Sequence, residues 1–135
     1  MHQSLRLWSV ALLLATTLLG SCKKDDTSTP TTTNSFVGRY KGKINGIIEI
    51  DPTYVDIVAT AKDNEVSVTL DFGNLGKIPG IAATTTGTTI TVAKQKVGDS
   101  EYSGTGTLID KTLSVTLSEK NSTGSFGYIY VGTKQ

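Results

Sequence analysis

Apolar and polar residues alternate along much of the chain after residue 35. The alternation is clearest at 66–72 and 112–118, where every second residue is apolar. Because successive side chains of a strand point to opposite faces, a period of two predicts β-strands with one buried face. Less regular runs rich in Thr, Val and Ile also predict strands, at 39–44, 47–50, 54–61, 81–85, 88–97, 102–109 and 126–131. No stretch keeps helical spacing over three turns.

Turn residues separate these runs at short and even intervals. Examples are Asn45-Gly46, Asp51-Pro52 and Gly98-Asp99. Strands that recur about every ten residues with short connections predict an antiparallel meander. A meander of about eight strands leaves two exposed edges unless it closes, so we expect an all-β fold forming a small closed up-and-down barrel. A two-sheet β-sandwich is the alternative.

Two strands combine an aromatic residue with glycines on one face. They contain Gly38-x-Tyr40-x-Gly42 and Tyr102-x-Gly104-x-Gly106. Glycine in a strand lets the sheet coil sharply, or lets a ring lie over bare backbone. The pattern therefore indicates barrel curvature, with an aromatic-lined mouth as the functional alternative.

The Gly38-x-Tyr40 start resembles the Gly-x-Trp start of lipocalins and other calycin-type barrels. That resemblance implies the architecture of a small barrel. If the barrel is a binding module, its mouth would hold a small apolar or glycan ligand. The aromatic residues expected to line such a mouth are Tyr40, Phe72, Tyr102 and Phe126. A barrel of this size can also be filled by its own side chains, so a structural or protein-interaction role remains open.

The first residues have the pattern of an export signal. Arg6 precedes an almost unbroken apolar run at 7–19, and the small residues Gly20 and Ser21 follow. This arrangement predicts a secretory signal peptide at 1–21. The apolar run of about thirteen residues is shorter than the roughly twenty that a membrane-spanning helix needs.

The end of this segment, Leu19-Gly20-Ser21-Cys22, resembles the lipobox of bacterial lipoproteins. The resemblance implies that Cys22 carries lipid and anchors the protein to a membrane. Since Cys22 is the single cysteine of the chain, an intramolecular disulfide is excluded. Two or three acyl chains would hold the protein on a bilayer, because each buried methylene contributes about 0.8 kcal/mol.

The residues after Cys22 suggest a location and a tether. The charged run at 23–26, Lys-Lys-Asp-Asp, resembles the export signal of Bacteroidota-type surface lipoproteins, which implies the outer membrane and its outer surface. A solvated charged start is the alternative. Residues 27–35 are rich in Thr and Pro and lack large apolar residues, so we expect 22–35 to form a disordered tether before a barrel domain at 36–135.

Composition removes several classes of function. Thirteen Lys and Arg residues less Arg6, Lys23 and Lys24 leave ten in 36–135, where there are also ten acidic residues. A neutral domain without a basic run predicts no nucleic-acid partner. The single histidine lies in the signal peptide, so we expect no His-dependent catalysis, no catalytic residues, no metal site and no cofactor.

Carboxylates are the remaining chemistry-bearing groups. Glu49, Asp51 and Asp56 flank one predicted turn, and Asp99 and Glu101 flank another. Paired carboxylates can serve a carboxylate-based hydrolase or bind calcium. Acidic residues beside turns are more often solvated turn formers. We therefore expect a non-enzymatic, membrane-anchored barrel that binds a small ligand, with an interaction barrel and a hydrolase as the alternatives.

Overall fold

Residues 34–135 are described by a computed structural model. They form eight strands and one short 3₁₀ turn: β1 (Gly38–Asn45), β2 (Ile50–Ala59), β3 (Glu65–Asp71), the 3₁₀ turn (Gly73–Leu75), β4 (Lys77–Thr86), β5 (Thr89–Val97), β6 (Ser100–Ile109), β7 (Thr112–Asn121) and β8 (Gly124–Lys134). The predicted signal peptide, Cys22 and most of the tether lie outside these residues. Within them, no helix is long and apolar enough to cross a membrane.

The strands form a closed antiparallel barrel. Each strand pairs with the next in sequence, and β1 also pairs with β8. The all-β meander and its closure are confirmed, and the β-sandwich alternative is wrong. The fold agrees with the resemblance to calycin-type barrels in one respect: it is a small closed antiparallel barrel.

The β1–β2 connection differs from the prediction. The run at 47–50 was expected to be a strand, but it forms most of the loop, with Ile47 and Ile48 exposed by 75% and 68%. Pro52, expected in a turn, lies inside β2. The β1–β2 register shifts between Gly42 and Ile44, and this irregularity accommodates a proline, which cannot donate a ladder hydrogen bond.

Apolar side chains fill the middle of the barrel. Only about 30 Å³ of cavity remains among them, close to the share of one water molecule in the liquid. Every second residue of β3 and β7 points inward, as their alternation predicted. The largest fully buried apolar side chains are Tyr40, Phe36, Ile57, Ile81, Leu113 and Val66.

The chain segment before β1 covers one end of the barrel, which we call the closed end. Phe36 is fully buried there, and its carbonyl oxygen accepts a hydrogen bond from the Tyr40 hydroxyl at 2.8 Å. Asn34 donates from Nδ2 to Thr85 Oγ1 at 2.7 Å, which ties the segment to β4. The opposite end, formed by the loops at 46–49, 72–76, 98–99 and 122–123, is the open end.

Glycines allow the barrel to close between its first and last strands. Gly42 on β1 lies opposite Gly132 on β8. A Cβ atom on Gly42 would collide with the Val131 carbonyl and lie 2.7 Å from its carbon atom. At Gly42, the glycine therefore permits close backbone approach between β1 and β8.

The wall between β4 and β5 is closed partly by a side chain. The two strands pair only from Thr84 to Thr86 and Thr89 to Thr91. Beyond that point, the Gln95 side chain accepts from Ala82 N at 2.8 Å and donates to Ala82 O at 2.6 Å. The amide of Gln95 thus replaces a missing rung of the strand ladder.

Candidate functional site

A cavity of about 150 Å³ lies at the open end of the barrel. Cavities of this size accommodate a molecule such as benzene. Apart from one carboxylate and two phenols, its walls are apolar. The lining residues are Ile44, Ile50, Leu70, Phe72, Ile78, Tyr102, Leu117, Glu119 and Tyr128.

Glu119 is the carboxylate in this cavity. It continues the inward-facing series of β7, two residues beyond Leu117, and lies opposite Tyr102 of β6 and Phe126 of β8. Its Oε1 atom accepts from Ser100 Oγ at 2.6 Å, and its Oε2 atom accepts from the Tyr128 hydroxyl at 2.9 Å. The carboxylate is therefore held in position by side chains of both neighbouring strands.

The turns at the open end hold the other donors. Asn121 ends β7, and its Oδ1 atom accepts from Thr123 N at 2.9 Å in an Asx turn. The same side chain donates from Nδ2 to Glu119 Oε1 at 3.2 Å. Ser100 follows the turn at Gly98, whose φ of 62° suits glycine. Turn-forming residues thus also organise the site.

Hydrogen bonding sets the ionisation of the cavity. Burial alone would raise the pKa of Glu119, but the hydrogen bonds from Ser100, Tyr128 and Asn121, together with the nearby Tyr102 hydroxyl, outweigh it and lower the pKa. Burial, together with the bond to Glu119, raises the pKa of Tyr128 to about 12. At neutral pH the cavity therefore presents an ionised carboxylate and a protonated phenol.

The four aromatic residues expected at the mouth do not lie together. Phe72 and Tyr102 both line the cavity. Tyr40 lies at the closed end, where it is fully buried against Phe36. Phe126 lies opposite Glu119 in the β7–β8 register but does not line the cavity.

The carboxylates singled out from the sequence do not converge on the cavity. Asp56 forms an ion pair with Arg39 at 3.5 Å, Glu101 with Lys94 at 3.1 Å, and Glu49 with Lys43 at 3.9 Å. The remaining two, Asp51 and Asp99, are exposed. Within residues 34–135, no group of three or more acidic, His or Cys side chains could hold a metal ion.

Asp71 belongs to the outer wall of the barrel and not to the cavity. Its carboxylate lies 2.8 Å from Lys77 Nζ and accepts from Gly73 N at 3.0 Å. The bond to Lys77, then that to Gly73, lowers the pKa of Asp71. These contacts fix the β3–β4 connection beside the open end.

Glu119 and Tyr128 were missed by the sequence interpretation, which treated acidic residues near turns as solvated. The signal was present in the alternation Leu113, Val115, Leu117. Extending that series by one step places Glu119 on the inner face.

Comparisons with known proteins show a similarity to a solved structure. No protein-family model matches the chain, and no curated protein matches it. The crystal structure of zebrafish ileal bile acid-binding protein complexed with cholic acid is similar, with 12% sequence identity, coverage of 76% of this chain and 100% of that chain, and a TM-score of 0.46. The strand pairing of this chain shows the closed barrel independently of that similarity.

Proposed function

We propose that this protein is a lipid-anchored, non-catalytic barrel that binds a small molecule at its open end. The observation that carries the proposal is the open-end cavity, whose apolar walls surround one positioned carboxylate, Glu119. Ligand sites in proteins are commonly concave and mostly apolar, with a few polar groups that fix orientation.

The filled centre limits the ligand to the open end. With about 30 Å³ free in the middle of the barrel, a ligand would occupy the 150 Å³ above it. The ligand, or the part of it that enters the cavity, is therefore about the size of a single aromatic ring.

A non-catalytic role fits the chemistry of the cavity. Glu119 is the one carboxylate among the cavity-lining residues, whereas glycoside hydrolysis uses two carboxyl groups across the bond. Its lowered pKa also makes it a poor proton donor at neutral pH. The other residues of the lining offer only phenols and apolar groups.

We propose Cys22 as the lipid anchor because the residues before it resemble a lipobox. The anchor would hold the protein in the outer membrane, at the cell surface. The described chain begins at Asn34, at the closed end of the barrel. A tether from Cys22 would thus join the domain at the end opposite the cavity.

Filling the cavity tests the proposal. Ile50 is half-buried and lines the cavity, so Ile50→Trp should occupy it. Ile109→Trp is the matched control, because Ile109 is 64% exposed and lies at the other end of the barrel. Small molecules that co-purify with the protein would be identified by mass spectrometry. We expect them with the wild type and with Ile109→Trp, but not with Ile50→Trp, and equal recovery from all three would contradict the proposal.

A second candidate function is protein interaction, and the rim of the open end favours it. Ile47, Ile48 and Leu75 are exposed by 75%, 68% and 73% on two loops at this end. Exposed apolar residues that cluster often mark interfaces. Native mass spectrometry of detergent-extracted protein would separate the candidates. A partner that is lost in the Ile47→Ser, Ile48→Ser variant but kept in Ile50→Trp would favour the interaction function.

A further inference from the structure

Glu119 is ionised in a mostly apolar cavity without a cation beside it. Six ion pairs occur among residues 34–135, and none of them includes Glu119. Its hydrogen-bond partners, Ser100, Asn121 and Tyr128, are all neutral donors. The cavity therefore presents a net negative charge to whatever enters it.

The carboxylate has remaining capacity to accept hydrogen bonds. Oε1 accepts from both Ser100 and Asn121, and Oε2 accepts from Tyr128; the Tyr102 hydroxyl also lies close enough to the carboxylate to help lower its pKa. A carboxylate oxygen can accept two hydrogen bonds. A ligand donor that enters the cavity can take the second acceptor position on Oε2, in competition with the Tyr102 hydroxyl.

The surroundings discriminate among classes of ligand. An anionic ligand would be repelled by Glu119, and like charges in a desolvated site are costly. A neutral apolar ligand would strip water from the carboxylate without replacing it. A glycan would bury several hydroxyl groups against Ile50, Ile78 and Leu117, which offer no side-chain partners.

A ligand with a cationic group on an apolar body avoids all three of these penalties. Its charge would complement Glu119, and its N–H group would fill the remaining acceptor position on Oε2. The aromatic rings of Phe72 and Tyr102 are part of the same lining, and aromatic rings can attract a nearby cation.

We propose that the open-end cavity selects a small ammonium ligand, with a body about the size of one aromatic ring and its charge on Glu119. This inference rests on the proposed function, because it specifies the ligand class of the same cavity.

Three probes of matched size test it: benzylammonium, benzyl alcohol and benzoate. Each has one ring, and they differ in the charge of the substituent. Dissociation constants would be measured by NMR titration, following the amide signals of Leu117 and Ile78 beside the cavity. We expect benzylammonium to bind about tenfold more tightly than benzyl alcohol, as one hydrogen bond to a charged group predicts, and benzoate to bind more weakly than either.

A pair of variants locates the charge that is responsible. Glu119→Gln keeps the size of the side chain but removes its charge, and should make the affinities for benzylammonium and benzyl alcohol nearly equal. Glu101→Gln removes the same charge from the outer face of the adjacent strand, where Glu101 pairs with Lys94. This control should keep the wild-type preference.

The outcomes separate the two proposals. Equal binding of benzylammonium and benzyl alcohol to the wild type, or tight binding of benzoate, would overturn the ammonium inference and leave a ligand-binding cavity. An unchanged preference in Glu119→Gln would overturn it as well. If no probe shifts the cavity signals, both proposals fail. The wild-type ranking needs no variant, so it remains decisive even if Glu119→Gln folds poorly.

Discussion

Replacing Gly42 by alanine should destabilise the barrel, although the same change at another strand glycine should stabilise it. A Cβ atom on Gly42 would collide with the backbone of Val131 on the neighbouring strand. Backbone cannot rotate away as a side-chain end can, so the β1–β8 seam would have to widen. Gly127, on β8, is the matched control, because a Cβ atom there meets nothing within 4 Å.

The expected magnitudes follow from these surroundings. Alanine in place of a strand glycine reduces the entropy of the unfolded chain and stabilises by about 0.5–1 kcal/mol where there is room, as at Gly127. Gly42→Ala gains the same term but meets overpacking that typically costs about 1–3 kcal/mol. The free energies of unfolding of the two variants should therefore differ by about 1–3 kcal/mol. For a domain of this size, that corresponds to a difference in Tm of roughly 10 °C.

Thermal unfolding monitored by circular dichroism would measure both variants against the wild type. The expected order of Tm is Gly127→Ala highest, then wild type, then Gly42→Ala. If Gly42→Ala melts at or above Gly127→Ala, the close approach at the β1–β8 seam does not constrain the barrel, and our account of its closure is wrong.

Three further predictions follow. The Tyr130 hydroxyl is buried without a hydrogen-bond partner among residues 34–135, so Tyr130→Phe should leave Tm unchanged or raise it. Tyr40→Phe loses the hydrogen bond to the Phe36 carbonyl, so its free energy of unfolding, measured by chemical denaturation, should be lower by about 1 kcal/mol. Folding lowers the pKa of Glu119, so the unfolded chain takes up a proton more readily than the folded chain, and stability should fall as pH drops below 4.5. Between pH 7 and 3, the Tm of Glu119→Gln should therefore fall less steeply than the Tm of the wild type. Cys22→Ala should abolish incorporation of labelled palmitate and release the protein from membranes; labelling equal to that of the wild type would refute the lipid anchor.

The fold could be predicted wherever one face of a strand is apolar and the other polar. The alternation at 66–72 and 112–118 fixed the inner faces of β3 and β7, because burial selects side chains one by one along a strand. The loop at Ile47 and Ile48 could not be predicted, because hydrophobicity alone does not distinguish an exposed apolar rim from a short buried strand. Closure itself could be expected from the edge-strand argument, but the β1–β8 register, with Gly42 opposite Gly132, depends on contacts between the two ends of the domain, which no local pattern records.

The candidate site was harder to predict than the fold. Four aromatic residues were predicted to line the mouth, but only Phe72 and Tyr102 line the cavity. Tyr40, which shares the pattern of Tyr102, lies at the opposite end of the barrel. Which end of a barrel an inward residue occupies depends on its distance from the turn and on the strand direction. Glu119 was missed because the types of residue around it, Ser100 and Asn121, are those of ordinary turns. Their role emerges only when β6 and β7 bring them beside Glu119.

The Gln95 bridge to Ala82 gives the barrel wall one place where it can open without unfolding. Elsewhere, parting two strands breaks several backbone hydrogen bonds at once. Between β4 and β5, rotation of a single side chain releases both bonds to Ala82, and rotations of this kind occur within nanoseconds at exposed positions. The Ala82 amide should therefore exchange its hydrogen with solvent faster than the paired amides of β7 and β8. We therefore expect the wall to open locally between Gln95 and Ala82 while the other strands stay paired.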